Sequence, residues 1–491
     1  MVAVLLIFIP LVAGLIAFFV KNEKAVRWWT LFSSIITLAV SVLGLTYLKN
    51  TEHLSHQSPW LSNLGSSFSV KLDGMGQVLC LLTAVSFPVI FIATWNSVYK
   101  KTHNFFGLML LSQAGLMGVF VAMDALLFYF FWELALIPVY FLCSQWGGER
   151  RIAVTFKFFI YTFVGSVLML IGILYLYSQT PNHSFDINAF YKLQLTAKTQ
   201  NWVFWLFFIA FAVKMPIFPF HTWQPDTYEQ SPTAVTMVLS GVMVKMGVFG
   251  VIRWLLPVMP IASYAWGDVV TTAAIIGMIY ASLLAIQQDD LKRLVAYSSI
   301  AHIGLMAAAI FSETQSSMQG VMIQMFNHGI NIIGLWIVIE LIERQLGTRK
   351  ISELGGLAQK APAMAILLVT VALANIALPL TNAFVGEFMM FNGIFGSIIT
   401  QYNKIYTVLA GISIILAAVY TLTMIQKVFY GSTNTLTASA HDIRLNEKFV
   451  LIVIVILIFI IGVYPKPMLD ITSQTVNSIL QKSDITPLLR K

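Results

Sequence analysis

Residues 204–223 read FWLFFIAFAVKMPIFPFHTW. The stretch is apolar and aromatic enough to lie in a bilayer, yet Lys214 stands in its middle and Pro216 and Pro219 follow it. A lysine at the centre of a spanning helix costs about 2.5–3.5 kcal/mol on insertion scales. Proline removes a backbone donor and clashes with the preceding turn. Inside lipid such a break survives only where the freed backbone groups face protein or water. The stretch therefore reads as a broken membrane-spanning helix built around a buried cation.

The rest of the chain agrees. Of its 491 residues 58% are hydrophobic and 10% charged, against about 25% charged in soluble domains. A soluble fold has no place for so much apolar surface, whereas apolar runs of about 18 residues or more each suffice to cross a bilayer. The pattern predicts an all-α polytopic membrane protein with fourteen spans, near 2–20, 26–48, 75–98, 104–122, 124–145, 152–178, 202–229, 232–256, 267–287, 294–311, 319–343, 361–398, 404–426 and 448–465. No basic residue precedes the first run, so it reads as an uncleaved helix rather than a signal peptide. The two cysteines, Cys80 and Cys143, lie in apolar runs and give neither a disulfide framework nor a metal spacing. The net charge of +8 is scattered over short loops, which points to membrane topology and not to nucleic acid. Short loops also leave no soluble domain to hold a redox cofactor.

Lysine and arginine set the orientation. With the loop KNEKAVR on the inside, the inner loops carry seventeen basic residues, among them Lys21, Arg150, Arg293 and Arg349. The outer side carries ten, among them Lys49, Arg253, Arg490 and Lys491. Both termini are then expected outside. Lys214 and Lys245 are left within the membrane.

A second break occurs in ANIALPLTNAFVGEF, residues 374–388, at Pro379. It lies five spans after the first. Five is odd, so two five-helix units of opposite orientation are expected, each with one broken helix, as in secondary transporters with a midplane ion site. Asp124 opens the fifth span and Asp290 the tenth, and nine residues later stand Glu133 and Ser299. The expected organisation is helices one to three over 1–103, the repeats over 104–257 and 266–430, and a last helix with its tail over 431–491.

Four charged residues lie deep in spans: Glu133, Lys214, Lys245 and Glu387. Lys214 is about thirteen residues into its span, roughly 20 Å at the helical rise, too deep for its stem to reach an interface. Two readings remain for Glu133 and Lys214: a structural ion pair, or a proton relay. Burial disfavours a charged lysine and a nearby carboxylate restores it, so a Glu133 that approaches and leaves Lys214 would switch that lysine between holding and releasing a proton. The eleventh span adds Gln324, Asn327, His328 and Asn331 at helical spacing on one face. The tenth adds Ser298, Ser299 and His302. Two histidines, which titrate near physiological pH, joined to amides and hydroxyls and leading toward Glu387, favour a hydrated proton path. His221, beside the first break, reads as structural.

With these residues in hand, the chain resembles the antiporter-like membrane subunits of respiratory complex I, the NADH-quinone oxidoreductase, from about residue 70 to 430. The segments that carry the resemblance are FYFFWELALIPVYFL, AVKMPIFPFHTWQPD, SPTAVTMVLSGVMVKMGVFG, LKRLVAYSSIAHIGLM and FVGEF. The resemblance implies that Glu133 and Lys214 form the family's ion pair, that Lys245 is the central proton carrier, and that His302 and His328 connect the path. The twelfth-span residue is lysine in the L and N types and in related cation/proton antiporters, and glutamate in the M type. Glu387 therefore places the chain with the M type, as does the lack of the long lateral helix of the L type. The chain departs from the family in having Tyr228 where a second histidine is common, and in having no glycine at Leu380 or Ala383, at one of which the family often has one.

The implied function is non-redox proton translocation driven by quinone reduction elsewhere in the complex. NADH, FMN, iron–sulfur clusters and quinone would be held by partner subunits, with no cofactor in this chain. L-type and N-type subunits would lie on either side, in a bacterial cytoplasmic membrane. The alternatives are a subunit of a multisubunit cation/proton antiporter or membrane-bound hydrogenase, and, more remotely, a stand-alone secondary transporter. The last would need a substrate-recognition set, and the buried groups here are all proton-capable.

Overall fold

The computed structural model describes residues 1–47 and 51–485 and is almost wholly helical. Lys49, Arg490 and Lys491, counted above for the outer side, lie outside the described residues. The chain runs α1 (Val2–Ala17), α2 (Glu23–Thr46), a hairpin of β1 (Ser55–Leu61) and β2 (Ser66–Lys71), α3 (Gly74–Ala93), α4 (Thr102–Val121), α5 (Ala125–Trp146), α6 (Arg151–Gln179) and the short α7 (Ile187–Tyr191). Then come α8 (Ala197–Lys214), α9 (Trp223–Gln230), α10 (Thr233–Val238), α11 (Lys245–Gly250), α12 (Pro260–Ile286), α13 (Leu291–Ile310), α14 (Gln315–Leu346) and the short α15 (Leu357–Lys360). The chain ends with α16 (Pro362–Asn375), α17 (Asn382–Phe395), α18 (Asn403–Phe429), α19 (Leu445–Val463) and α20 (Lys466–Ser483). Eleven helices among the described residues are long and apolar enough to cross a membrane. The expected fourteen is reached only by adding the 16-residue α1 and the two broken pairs, α8–α9 and α16–α17.

Side chains at the span ends explain where helices begin. Asn22, Asp73, Asp124, Thr196, Asp290 and Thr314 each accept a hydrogen bond from a first-turn backbone N–H, satisfying donors that a helix cannot satisfy itself. Asp124 and Asp290 play the same part in another respect. Each also bridges to a later segment, Asp124 to Asp186 and Asp290 to Lys350. Asp124 further accepts from Ser66 Oγ at 2.9 Å and Ser67 N at 3.0 Å, so it anchors the hairpin.

The hairpin was not expected from the sequence. Its strands are short, and only an imperfect alternation and Gly65, at φ +72°, mark it. The amphipathic α20 packs against α3 and α14 on the same face as the hairpin. That face is the outer one in the charge-based orientation.

Both expected breaks are present. The first covers residues 215–222, between α8 and α9. The second covers 376–381, where Ala377 at φ +57° and Leu380 at φ +74° adopt left-handed backbone. A bulky side chain is disfavoured there, so Leu380 occupies backbone that suits glycine. The segment is held in place by α19: a Cβ on Gly462 would lie 2.2 Å from Leu380 O.

This contact gives a direct test. Gly462→Ala must push the second break away from α19, so the assembled protein should melt at a lower temperature than wild type. Leu380→Gly should not lower the midpoint, because it removes strain of about 1–3 kcal/mol. A Gly462→Ala protein as stable as wild type would show that the close approach does not constrain the break.

Candidate functional site

Lys214 is the last residue of α8, with 1% of its surface exposed. A cation is favoured at a helix C-terminus. Trp223 closes the break by donating from Nε1 to Val213 O at 3.0 Å. The expected ion pair with Glu133 is not closed in this conformation: Lys214 Nζ and Glu133 Oε1 are both buried without a hydrogen-bond partner. Lys214 Nζ instead lies 5.5 Å from the centre of the Trp132 ring, within cation–π range. Glu133, one residue further along α5, is half-buried. The pair is thus neighbours with an open gap.

Lys245 is fully buried at the start of α11, between π-helical turns at Leu239–Met243 and Val251–Leu255. Such turns recur at functional sites. Its Nζ donates to Ser240 O at 2.7 Å and lies 2.8 Å from His328 Nδ1. An ammonium has only donors, so Nδ1 is the acceptor while Lys245 is charged. Glycines allow this approach. A Cβ on Gly329 would stand 2.8 Å from Gly241 O, and one on Gly247 would stand 2.6 Å from Phe211 O beside the first break.

From His328 the polar contacts continue into α13 and α17. The His328 and His302 rings are 5.6 Å apart, centre to centre. His302 Nδ1 is 3.2 Å from Glu387 Oε1, and Gln324 Nε2 donates to the same oxygen at 3.4 Å. Gly386 makes room for Gln324, whose Oε1 would lie 2.4 Å from a Cβ there. A cavity of about 10 Å³ touches His302, Glu387 and Tyr420, at the lower limit for one water molecule. Lys245, His328, His302 and Glu387 are thus brought together as one lateral file. Glu133 and Lys214 stand apart from it.

Several polar residues of the site were not singled out from the sequence. Asn375, the last residue of α16, reaches His302 Nε2 and Ser298 Oγ, both at 3.3 Å. Tyr420 OH donates to Ser298 at 2.9 Å. Asn382, the first residue of α17, exchanges two amide hydrogen bonds of 3.0 Å with Asn331, and its carbonyl accepts from Asn327 at 2.7 Å. The two asparagines flank Pro379 in the sequence, and that position was the available signal. The face of α14 is therefore shared out: Gln324, Asn327 and Asn331 hold the second broken helix, and His328 reaches Lys245. Buried polar atoms without partners remain at both breaks, Gln324 Oε1, Asn327 Oδ1 and His328 Nε2 at the second and others at the first. Gln224, Tyr228 OH and Ser299 Oγ are buried without hydrogen-bond partners, and buried polar groups in that state call for water. The His221 ring stacks on Phe218 and meets Tyr280 edge-on, and its Nδ1 is buried without a hydrogen-bond partner.

The second half-helix of the first break is clamped by ion pairs, on the face that the bias of basic residues makes the inner one. Asp226 pairs with Lys157 at 2.8 Å and Arg293 at 3.1 Å. Glu229 pairs with Arg293 at 2.8 Å, Arg150 at 3.2 Å and Arg349 at 3.5 Å. Arg349 also binds Asp290 and Glu343.

A family model described as NADH:quinone oxidoreductase/Mrp antiporter, transmembrane, matches residues 122–413. The chain belongs to this family. Among its relatives are the NADH-quinone oxidoreductase subunit M of Rickettsia prowazekii, 34% identical over 97% of this chain and 98% of that one, and that of Escherichia coli K12, 34% identical over 97% of each. The F(420)H(2) dehydrogenase subunit M of Methanosarcina mazei is 33% identical over 96% of each. Respiratory complex I of Thermus thermophilus contains a chain that superposes with a TM-score of 0.91 at 26% identity, over 99% of this chain and 100% of that one. A chain of the Mrp complex of Dietzia superposes with a TM-score of 0.86 at 17% identity, over 98% of this chain and 99% of that one, and so shares the fold. The resemblance to subunit M read from the sequence is borne out by these relatives.

The reciprocal amide pair can be tested as a member of this family site. Asn331→Leu leaves the Asn382 amide buried and unpaired, which costs about 1–3 kcal/mol. The assembled protein should melt lower than wild type, and Asn331→Leu combined with Asn382→Leu should recover part of the loss. If the double variant melts no higher than the single one, the pair is not what holds the half-helix.

Proposed function

We propose that this chain is a proton-translocating membrane-arm subunit of a complex I-type NADH:quinone oxidoreductase, acting without redox chemistry of its own. The observation that carries this reading is the buried file Lys245–His328–His302–Glu387 in a member of the NADH:quinone oxidoreductase/Mrp antiporter family. A proton passes from the Lys245 ammonium to His328 Nδ1 and leaves a neutral amine. The imidazolium so formed releases a proton from its other nitrogen, Nε2, toward His302, and Glu387 receives it and hands it on to the outer side. Glu133 sets the charge state of Lys214: closed against it, the carboxylate stabilises the ammonium, and withdrawn, it leaves that charge unpaired. The open gap in this conformation supports a movable partner rather than a fixed structural pair.

Similar placement of Asp124 and Asp290 supports two repeated units, over 104–257 and 266–430, preceded by helices one to three over 1–103 and followed by 431–491. L-type and N-type subunits are the proposed neighbours. Large apolar side chains exposed on the lateral helices, such as Phe156, Ile366 and Val408, fit such neighbours or lipid. The bias of basic residues supports outer, periplasmic termini in a bacterial cytoplasmic membrane. NADH, FMN, iron–sulfur clusters and quinone are assigned to partner subunits and none to this chain.

Lys214→Ala should nearly abolish proton pumping by the assembled complex, with Glu133→Ala alike and Glu133→Asp milder. Pumping at the wild-type rate in an assembled Lys214→Ala complex would end the relay role of that residue. Lys245→Arg should also impair pumping although it keeps the charge, because a guanidinium with a pKa above about 12 does not release its proton. Full coupled activity there would mean that a fixed charge is enough.

Glu387 is compared in membranes by quinone-reductase rate and pumping, with assembly confirmed. Glu387→Lys keeps a titratable group and should retain more activity than Glu387→Ala. An alanine variant equal to the lysine variant would remove Glu387 from the path.

A further inference from the structure

The helix that carries Lys245 continues toward the face that the bias of basic residues makes the outer one, and there it borders a large cavity. This cavity, of about 1090 Å³, lies between the hairpin, α3 and α20 and reaches Arg253 and Asp73. Arg253 is eight residues beyond Lys245 on the same span, roughly 12 Å at the helical rise. Among the described residues no hydrogen bond bridges that distance, although Trp254 Nε1 is buried there without a partner. The distance is filled by Phe120, Phe128, Phe249 and Trp254, all at most 1% exposed and in ring contact: Phe120 and Phe249 at 5.5 Å, Phe128 and Trp254 at 5.0 Å.

Arg253 closes this layer on its outer side. It is 6% exposed, and its guanidinium lies 5.4 Å from the centre of the Phe249 ring. It pairs with Asp73, whose two oxygens lie 2.7 and 2.6 Å from the same nitrogen. Asp73 is itself fixed, since it caps α3 by accepting from Gly76 N at 3.0 Å. Tyr191 OH donates to the Arg253 carbonyl at 2.9 Å, and Lys482 Nζ sits 4.2 Å from the centre of the Tyr191 ring. The cation is thus held from below, from the side and through its backbone. A guanidinium does not deprotonate in proteins, so it is a permanent positive charge and no proton carrier. Asp73 has both oxygens on that charge and is no free acceptor.

We propose that Arg253 is the outer barrier of the first unit: a fixed cation, held by Asp73 above an aromatic layer, that stops the proton of Lys245 from escaping into the outer cavity. A fixed arginine in a narrow apolar passage repels cations and protons in the way that pores use to exclude them. This inference rests on Lys245 being a proton carrier and adds the reason its proton goes sideways. Lys245 lies between the outer cavity and the lateral file. A direct exit would let protons run back along the same route and dissipate the gradient. With the barrier in place, His328 at 2.8 Å is the open way.

The test is passive proton leak through the assembled complex in liposomes, read without turnover as the decay of an imposed pH gradient. Arg253→Gln should raise the leak about tenfold, the factor that a unit charge exerts at roughly 12 Å with an effective dielectric constant near 20. Arg253→Lys, which keeps the charge, should stay near wild type. Adding Lys245→Ala to Arg253→Gln should suppress the leak. Phe249→Ala opens the layer by another route and should leak as well, which keeps the test alive if Arg253→Gln does not assemble. A leak at the wild-type level in an assembled Arg253→Gln complex, or in Phe249→Ala where that is the variant that assembles, overturns the barrier. So does a fall in pumping with no leak, which would make the outer cavity a release route. Because the leak is read at rest, its failure is distinct from failure of the relay, whose own readout is pumping by Lys245→Arg.

Discussion

The hydrogen bond between Lys245 Nζ and His328 Nδ1 joins two parts of the chain that otherwise hold their charges separately. It is buried on both sides, where an unpaired cation is costly and a paired one is short of water to replace the partner. Its length depends on backbone geometry rather than on the two side chains alone. Gly241 and Gly329 let the helices touch, and the π turns on either side of Lys245 set how its stem leaves the helix. Widening the helices by one methyl group would lengthen the one direct contact in the file that joins the helix of Lys245 to α14.

The two broken helices solve the same backbone problem in different ways. At the second break the freed groups are met by amides: Asn331, Asn327 and Asn382 bond to one another, and Asn375 bonds to His302. At the first break the end half-helix is fixed by ion pairs at the inner face, and the interior is left with unpartnered Lys214, Gln224 and Tyr228. A network with its bonds made is rigid, and one with open bonds admits water and rearrangement. The second network is not complete either, since Gln324 Oε1, Asn327 Oδ1 and His328 Nε2 are also buried without partners, so the two breaks differ in how the second half-helix is anchored, by amides in one and by ion pairs in the other.

Much of this was legible from the chain. The apolar runs gave the spans, the prolines gave both breaks, and the four buried charges stood out because burial makes them expensive. What periodicity cannot give is the partner across a helix interface. Gln324, Asn327, His328 and Asn331 share one face in the sequence, yet His328 serves Lys245 while the amides serve Asn382 and Glu387. The sequence left Glu133 and Lys214 open between a structural ion pair and a movable one, and nothing in it says that Trp132 would take the ammonium's side. The hairpin was hidden in a loop too short for a strong period-two signal. The left-handed backbone of Leu380 was hidden because the residue there is not glycine.

Polarity along the Lys245 span is uneven in a way that fits its place. Toward the inner face stand Thr233, Thr236 and Ser240, at helical spacing, with Thr233 on a cavity of about 460 Å³ that opens at that face. The hydroxyls of Thr236 and Ser240 donate to backbone carbonyls one turn earlier, Thr236 to Pro232 O and Ser240 to Thr236 O, so they can turn to a water without stranding a side-chain partner. Toward the outer face the same helix offers Val248, Phe249 and Ile252, then a guanidinium. In the proposed role of Lys245, and with the orientation that the bias of basic residues supports, hydroxyls on one side and rings capped by a fixed charge on the other would supply its proton from the inner face alone. A carrier supplied from one face and sealed from the other does net work only if its proton leaves at right angles to the helix, and His328 stands in that direction.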